Sequence, residues 1–85
     1  MRQVWKYPLD WTAEPQTVAM PVAAKPGRFA VQDGVPTLWA EVETSSIAVP
    51  RLFVIVGTGA DIPFPTYRGT VDHNGFVFHL YEAGL

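Results

Sequence analysis

The chain alternates short apolar runs with turn-forming glycines and prolines, and this pattern predicts β-strands along its whole length. The runs are rich in Val, Phe, Trp, Tyr and Thr, and none has the 3.6-residue apolar period of an amphipathic helix. We predict strands at about 2–9, 16–20, 28–33, 35–43, 51–57, 67–73 and 76–83. The pattern therefore predicts an all-β fold, a small antiparallel β-sandwich or partly open barrel of about six to seven strands.

Two dipeptides predict the register of two hairpins. Asp33-Gly34 and Asn74-Gly75 tolerate the positive backbone φ of a type I′ turn, whose twist matches that of paired antiparallel strands. If each dipeptide forms a two-residue turn, one face of each hairpin is apolar and the other is mixed. The pairs expected on the mixed faces are Arg28 with Trp39, Thr70 with His79, and Arg68 with Tyr81.

The strand predicted at 51–57 is apolar on both faces. Phe53 and Ile55 alternate with Leu52, Val54 and Val56, which is typical of a central strand that is covered on both sides. One of the two covers can be another subunit.

A glycine-rich turn, Gly57-Thr58-Gly59, follows this strand. A phosphate-binding loop would need a helix after the turn, because the helix N-terminus supplies the N–H groups that hold the anion. Pro63 and Pro65 prevent a helix there. Two interpretations remain: a strand end that needs glycine, or a backbone nest for an anion.

Composition narrows the class of protein. We expect a single β domain over 1–85, and without cysteine it has no disulfide. Only 16% of residues are charged, against about 25% in soluble domains, so we expect a homo-oligomer. A net charge of −2 with scattered basic residues argues against general binding to nucleic acid or to membranes. The sequence shows neither a membrane-spanning run nor a secretory signal, so we expect a cytoplasmic protein.

The sequence offers little for catalysis. Its two histidines, His73 in a predicted turn and His79 on a strand, have no acid at a suitable spacing. We therefore expect no enzymatic activity, no metal site and no cofactor.

Arginines beside aromatic residues suggest a binding site. Aromatic rings stack on planar bases, and guanidinium groups hold phosphates through two hydrogen bonds. The alternative is that these rings lie at the surface or in a subunit interface. The candidate ligand-binding residues are Arg28, Trp39, Gly57, Thr58, Gly59, Arg68, His79 and Tyr81.

Five motifs occur in an order that resembles a known family. They are 4–9 (VWKYPL), 18–21 (VAMP), 31–40 (VQDGVPTLWA), 56–63 (VGTGADIP) and 76–82 (FVFHLYE). The chain resembles an uncharacterised family of small proteins common in bacteriophages and prophages, over nearly its whole length. The resemblance implies a small phage-type β protein and assigns no catalytic residue. Members often carry His-Pro-Ile-Pro after the glycine turn, where this chain has Ala60-Asp61-Ile62-Pro63, so no site that needs that histidine is expected.

Two functions fit these observations. The first is a non-enzymatic, phage-type binding protein that captures a host molecule, with a nucleotide signal of host defence as a candidate ligand. The alternative is a module for protein–protein interaction with a host protein, or a virion-associated structural module, with no small-molecule ligand.

Overall fold

Seven strands make up the computed structural model, which describes residues 1–84. The strands are β1 (Arg2–Pro8), β2 (Gln16–Pro21), β3 (Lys25–Gln32), β4 (Val35–Glu43), β5 (Ala48–Gly57), β6 (Thr66–His73) and β7 (Phe76–Glu82). Within 1–84 there is no helix, so the predicted all-β class is confirmed. Leu85, the last residue of the domain expected from the sequence, lies outside the described residues.

The strands form two antiparallel sheets. The three-stranded sheet has the order β1-β4-β3, and the four-stranded sheet has the order β2-β5-β7-β6. β3 of the first sheet also packs against β6 of the second. The inner faces of both sheets share one apolar core, which includes Met20, Phe29, Leu38, Val42, Phe53, Ile55, Val71 and Leu80. The fold is a small β-sandwich.

The Asp33-Gly34 hairpin has the predicted register. Phe29 pairs with Leu38, and both are buried, while Arg28 pairs with Trp39. The Arg28 guanidinium carbon lies 5.7 Å from the centre of the Trp39 ring, which is a cation–π distance.

The Asn74-Gly75 hairpin follows the prediction as far as Gly69, which pairs with Leu80. A β-bulge then lies between Tyr67 and Gly69, so that Tyr81 pairs with Tyr67. The predicted pairing of Arg68 with Tyr81 was therefore wrong, because Arg68 is the extra residue that a bulge leaves out of the ladder.

Gly69 lies where β6 packs against β3 of the other sheet. Its φ is +151°, and a Cβ atom there would lie 2.8 Å from the Cβ of Phe29 on β3. Any larger residue would push β6 away from β3, so glycine allows this close contact between the sheets.

β5 is a central strand of its sheet, between β2 and β7. Phe53 and Ile55 point into the core, and Val54, on the outward face, is only 2% exposed. The prediction that this strand is covered on both faces is thus confirmed at its centre.

Candidate functional site

A pocket of about 740 Å³ lies at one end of the sandwich, which we call the end pocket. The β2–β3 turn, the start of β5, the bulge in β6 and the end of β7 form its walls. Its lining residues are Ala23, Ala24, Lys25, Pro26, Pro50, Arg51, Leu52, Arg68, Glu82, Ala83 and Gly84.

Two arginines and one glutamate form an ion triad in this pocket. The Arg51 guanidinium donates from Nε to Glu82 Oε2 at 2.6 Å and from Nη2 to Oε1 at 2.8 Å. Arg68 donates to the same Oε1 from Nε at 2.9 Å, and its Nη2 lies 2.8 Å from that oxygen. Arg51 Nη1 also donates to the carbonyl of Ala24 at 2.6 Å. The triad thus ties β5, β6 and β7 to the β2–β3 turn.

The backbone explains why these side chains meet. Arg51 and Glu82 lie on the core-facing sides of β5 and β7, since each alternates with residues whose side chains point outward. Arg68 reaches the same place because the bulge removes it from the ladder of β6. The side chains of Glu82, Arg51 and Arg68 are 7%, 16% and 22% exposed.

The pocket is electropositive. Burial of the Glu82 carboxyl would raise its pKa, but hydrogen bonds and charge attraction from Arg51 and Arg68 outweigh burial and hold the pKa below its usual range. Glu82 is therefore ionised at neutral pH. Arg51 and Arg68 line the pocket against this one carboxylate, which leaves one positive charge unbalanced. Lys25 is at the rim and pairs across the ladder with Glu41 on the outer face of the three-stranded sheet. With Lys25 included, the pocket is lined by half of the six basic residues in a chain with a net charge of −2.

The structure separates most of the candidate residues predicted from the sequence. Arg68 lies in the end pocket, whereas Arg28 and Trp39 lie on the outer face of the three-stranded sheet. His79 and Tyr81 lie on the outer face of the four-stranded sheet, and His79 is hydrogen-bonded to Thr58 in the glycine turn. The eight residues therefore do not form one site.

The glycine turn has few backbone donors to offer an anion. The N–H of Thr58 donates to Val77 O at 3.2 Å, and the N–H of Ala60 donates to Gly57 O at 3.1 Å. These bonds close the turn and attach it to β7. The geometry favours a strand end that needs glycine, since Gly59 has a φ of +94°.

A second pocket, of about 440 Å³, lies at the opposite end of the sandwich, where Gly57 is part of its wall. Trp11 stacks on His73 with 4.6 Å between ring centres and packs against Phe78 at 5.0 Å. The walls are largely apolar and carry no Asp, Glu, Lys or Arg among the described residues. This pocket is less suited to an anion than the end pocket.

The sequence pattern did not identify Arg51, Lys25 and Glu82 as residues of a site. Arg51 did carry a signal, because strand alternation places it on the same face as the buried Phe53. A charge at an inward position needs a partner. Its partner, Glu82, lies 31 residues away along the chain and becomes adjacent only through the order of strands in the sheet.

No helix in the described part of the chain is long and apolar enough to cross a bilayer. Residues 1–84 also contain no group of three or more His, Cys, Asp and Glu side chains that could hold a metal ion.

Fold and pocket together define a small all-β sandwich protein with a cationic pocket at one end. The chain belongs to the family described as a domain of unknown function, DUF7352, whose profile matches residues 1–84. Comparisons with curated proteins and with solved structures found no match.

Proposed function

We propose that this protein is a non-enzymatic binding protein that captures a phosphate-bearing small molecule in the end pocket. The observation that carries the proposal is the pair of mostly buried guanidinium groups, Arg51 and Arg68, that share a single carboxylate, with Lys25 at the rim of the pocket. In a chain with so few charges, such a concentration of cations favours an anionic ligand.

The two guanidinium groups keep hydrogen-bonding capacity for a ligand. Each has five N–H donors, and the contacts with Glu82 and Ala24 use three on Arg51 and two on Arg68. A guanidinium group can bind two oxygens of one phosphate through two parallel hydrogen bonds. The ammonium group of Lys25 adds a positive charge at the rim of the pocket. Because the arginines are mostly buried, their attraction for an anion is less screened than at an open surface.

The resemblance to phage proteins supports a host molecule as the ligand, captured in the cytoplasm of the infected cell. A nucleotide signal of host defence carries suitable phosphates. Trp39 and Tyr81, whose rings could stack on a base, lie on outer faces away from the end pocket. We therefore expect recognition to depend on the phosphates more than on the base.

The surroundings of the histidines support a non-enzymatic role. His79 Nε2 and Nδ1 each lie 2.9 Å from a threonine hydroxyl, that of Thr58 and that of Thr70. His73 stacks on Trp11. Neither imidazole is hydrogen-bonded to a carboxylate of residues 1–84, so neither has the acid partner of a catalytic triad.

Native mass spectrometry and calorimetry test this proposal. The probes are inorganic phosphate and a panel of mononucleotides, cyclic nucleotides and ADP-ribose nucleotides. The key variant is Arg68→Ala, which leaves Arg51 to pair with Glu82. Arg28→Ala is the matched control, since Arg28 lies on the outer face of the other sheet.

We expect Arg68→Ala to weaken phosphate binding by about 1.5–3 kcal/mol, which is about 10- to 150-fold, because charge-assisted hydrogen bonds are lost. Arg28→Ala should bind like the wild type. Absence of binding across the whole panel, or equal losses in the two variants, would refute capture in the end pocket and favour the protein-interaction alternative.

A further inference from the structure

The outer face of the four-stranded sheet is unusually poor in charge, and we call it the neutral face. Its centre consists of Leu52, Val54 and Val56 on β5 and Val77, His79 and Tyr81 on β7. Among the strand residues that the register places on this face, Asp72 at one corner is the only Asp, Glu, Lys or Arg within 1–84. The outer face of the other sheet differs, because it carries Arg2, Lys6, Lys25, Arg28, Glu41 and Glu43.

We propose that the neutral face is the interface of a homodimer, in which a second copy of the chain packs sheet against sheet. Protein interfaces are depleted of charge at their centres and enriched in tyrosine, as this face is. In a two-fold dimer the same patch meets itself, so a surface carrying many like charges would repel its own copy. The neutral face avoids that repulsion.

Several polar groups of this face are already paired within it. Both ring nitrogens of His79 lie 2.9 Å from threonine hydroxyls. Thr70 is also hydrogen-bonded to the Tyr67 hydroxyl, and the Tyr67 ring meets the Tyr81 ring edge-on at 5.5 Å. Covering the side chains of Thr58, Tyr67, Thr70 and His79 therefore keeps their hydrogen bonds intact, which lowers the cost of burying them.

A stable contact would use most of this broad face. The molecule measures 39 × 27 × 16 Å, and a standard interface covers roughly 800 Å² per partner. Tyr67 is 53% exposed and Val77 is 37% exposed, so both have apolar surface to bury. The neutral face is separate from the end pocket, and the dimer does not depend on ligand capture.

Sedimentation velocity of the purified protein tests the proposal, using matched charge insertions. Val77→Lys and Val56→Lys place an ammonium on the neutral face. Val4→Lys makes the same change at an exposed valine on the other outer face and gives the same net charge. Val77 is exposed and lies across the ladder from Asp72, so Val77→Lys should keep its fold.

We expect the wild type and Val4→Lys to sediment as dimers at about 100 µM. This concentration is above the micromolar dissociation constant of the weakest interfaces of this size. Val56→Lys and Val77→Lys should weaken dimerisation at least tenfold. A monomeric wild type at this concentration would overturn the proposal. So would an oligomer that survives both neutral-face variants, or one that Val4→Lys dissociates to the same extent.

Discussion

Replacing Glu82 with glutamine should destabilise the fold and yet strengthen anion binding. The substitution keeps the shape of the side chain and removes the one negative charge that Arg51 and Arg68 share. Two mostly buried guanidinium groups would then lie close together without a counterion. Their repulsion opposes folding, and an added anion relieves it.

The size of the loss follows from burial. Glu82 is 7% exposed, and its partners are 16% and 22% exposed, so solvent screens the triad only in part. Removing one member of a buried ion pair costs about 3–5 kcal/mol. Because the glutamine oxygen still accepts a hydrogen bond, we expect the lower figure, about 3 kcal/mol. A chain of this length is stable by roughly 4–13 kcal/mol, so the loss is a large part of the total.

Thermal unfolding followed by circular dichroism measures this loss. For a domain of this size about 3 kcal/mol corresponds to a fall in melting temperature of roughly 12–24 °C. Glu41→Gln is the matched control, because Glu41 pairs with Arg2 at the surface and exposed pairs contribute little. Added phosphate should raise the melting temperature of Glu82→Gln more than that of the wild type. Equal melting of Glu82→Gln and Glu41→Gln would refute our account of the triad.

Two further predictions concern pH and the contact between the sheets. The pKa of Glu82 is lower in the folded state than in the unfolded state, so Glu82 stabilises the fold above the unfolded pKa of 4.5, and this stabilisation is lost as pH falls through the folded-state pKa. The melting temperature below pH 4.5 should therefore depend less steeply on pH in Glu82→Gln than in the wild type. Parallel plots of melting temperature against pH for the two proteins would contradict this. Gly69→Ala should lower the free energy of unfolding in urea by about 1–3 kcal/mol, because the new Cβ would clash with Phe29 at a residue of positive φ. Gly57→Ala is the control and should have little effect, because a Cβ at Gly57 meets no atom within 4 Å. Similar losses of stability in the two variants would argue against a tight contact at Gly69.

Local chemistry made much of the fold predictable. Asp33-Gly34 and Asn74-Gly75 each identify a turn and, through the two-residue spacing, the strand pairs beside it. The apolar run at 51–57 identified a central strand because the residues on both of its faces are apolar. Each of these signals lies within about ten residues of sequence, so no knowledge of the tertiary structure was needed.

The end pocket was beyond such reasoning because its parts come from different strands. Arg51 meets Glu82 only because β5 lies beside β7, and Arg68 joins them only because β6 is bulged. The bulge accompanies the tight contact between Gly69 and Phe29 on the other sheet. The sequence of the hairpin alone gives no reason to expect a bulge. The prediction therefore assumed an unbroken ladder, which pairs Arg68 with Tyr81. One extra residue moved the arginine from an outer face into the pocket.

Segregation of charge connects the two proposals. A chain with few charged residues would be expected to spread them over its surface to remain soluble. Here, six line the outer face of the three-stranded sheet, and a triad lies in the end pocket. The outer face of the four-stranded sheet keeps one at its corner. If charge served solubility alone, the most apolar outer face would need it most. The near absence of charge on the neutral face is explained if a second copy of the chain covers it. The two arginines of the end pocket are explained if an anion binds there.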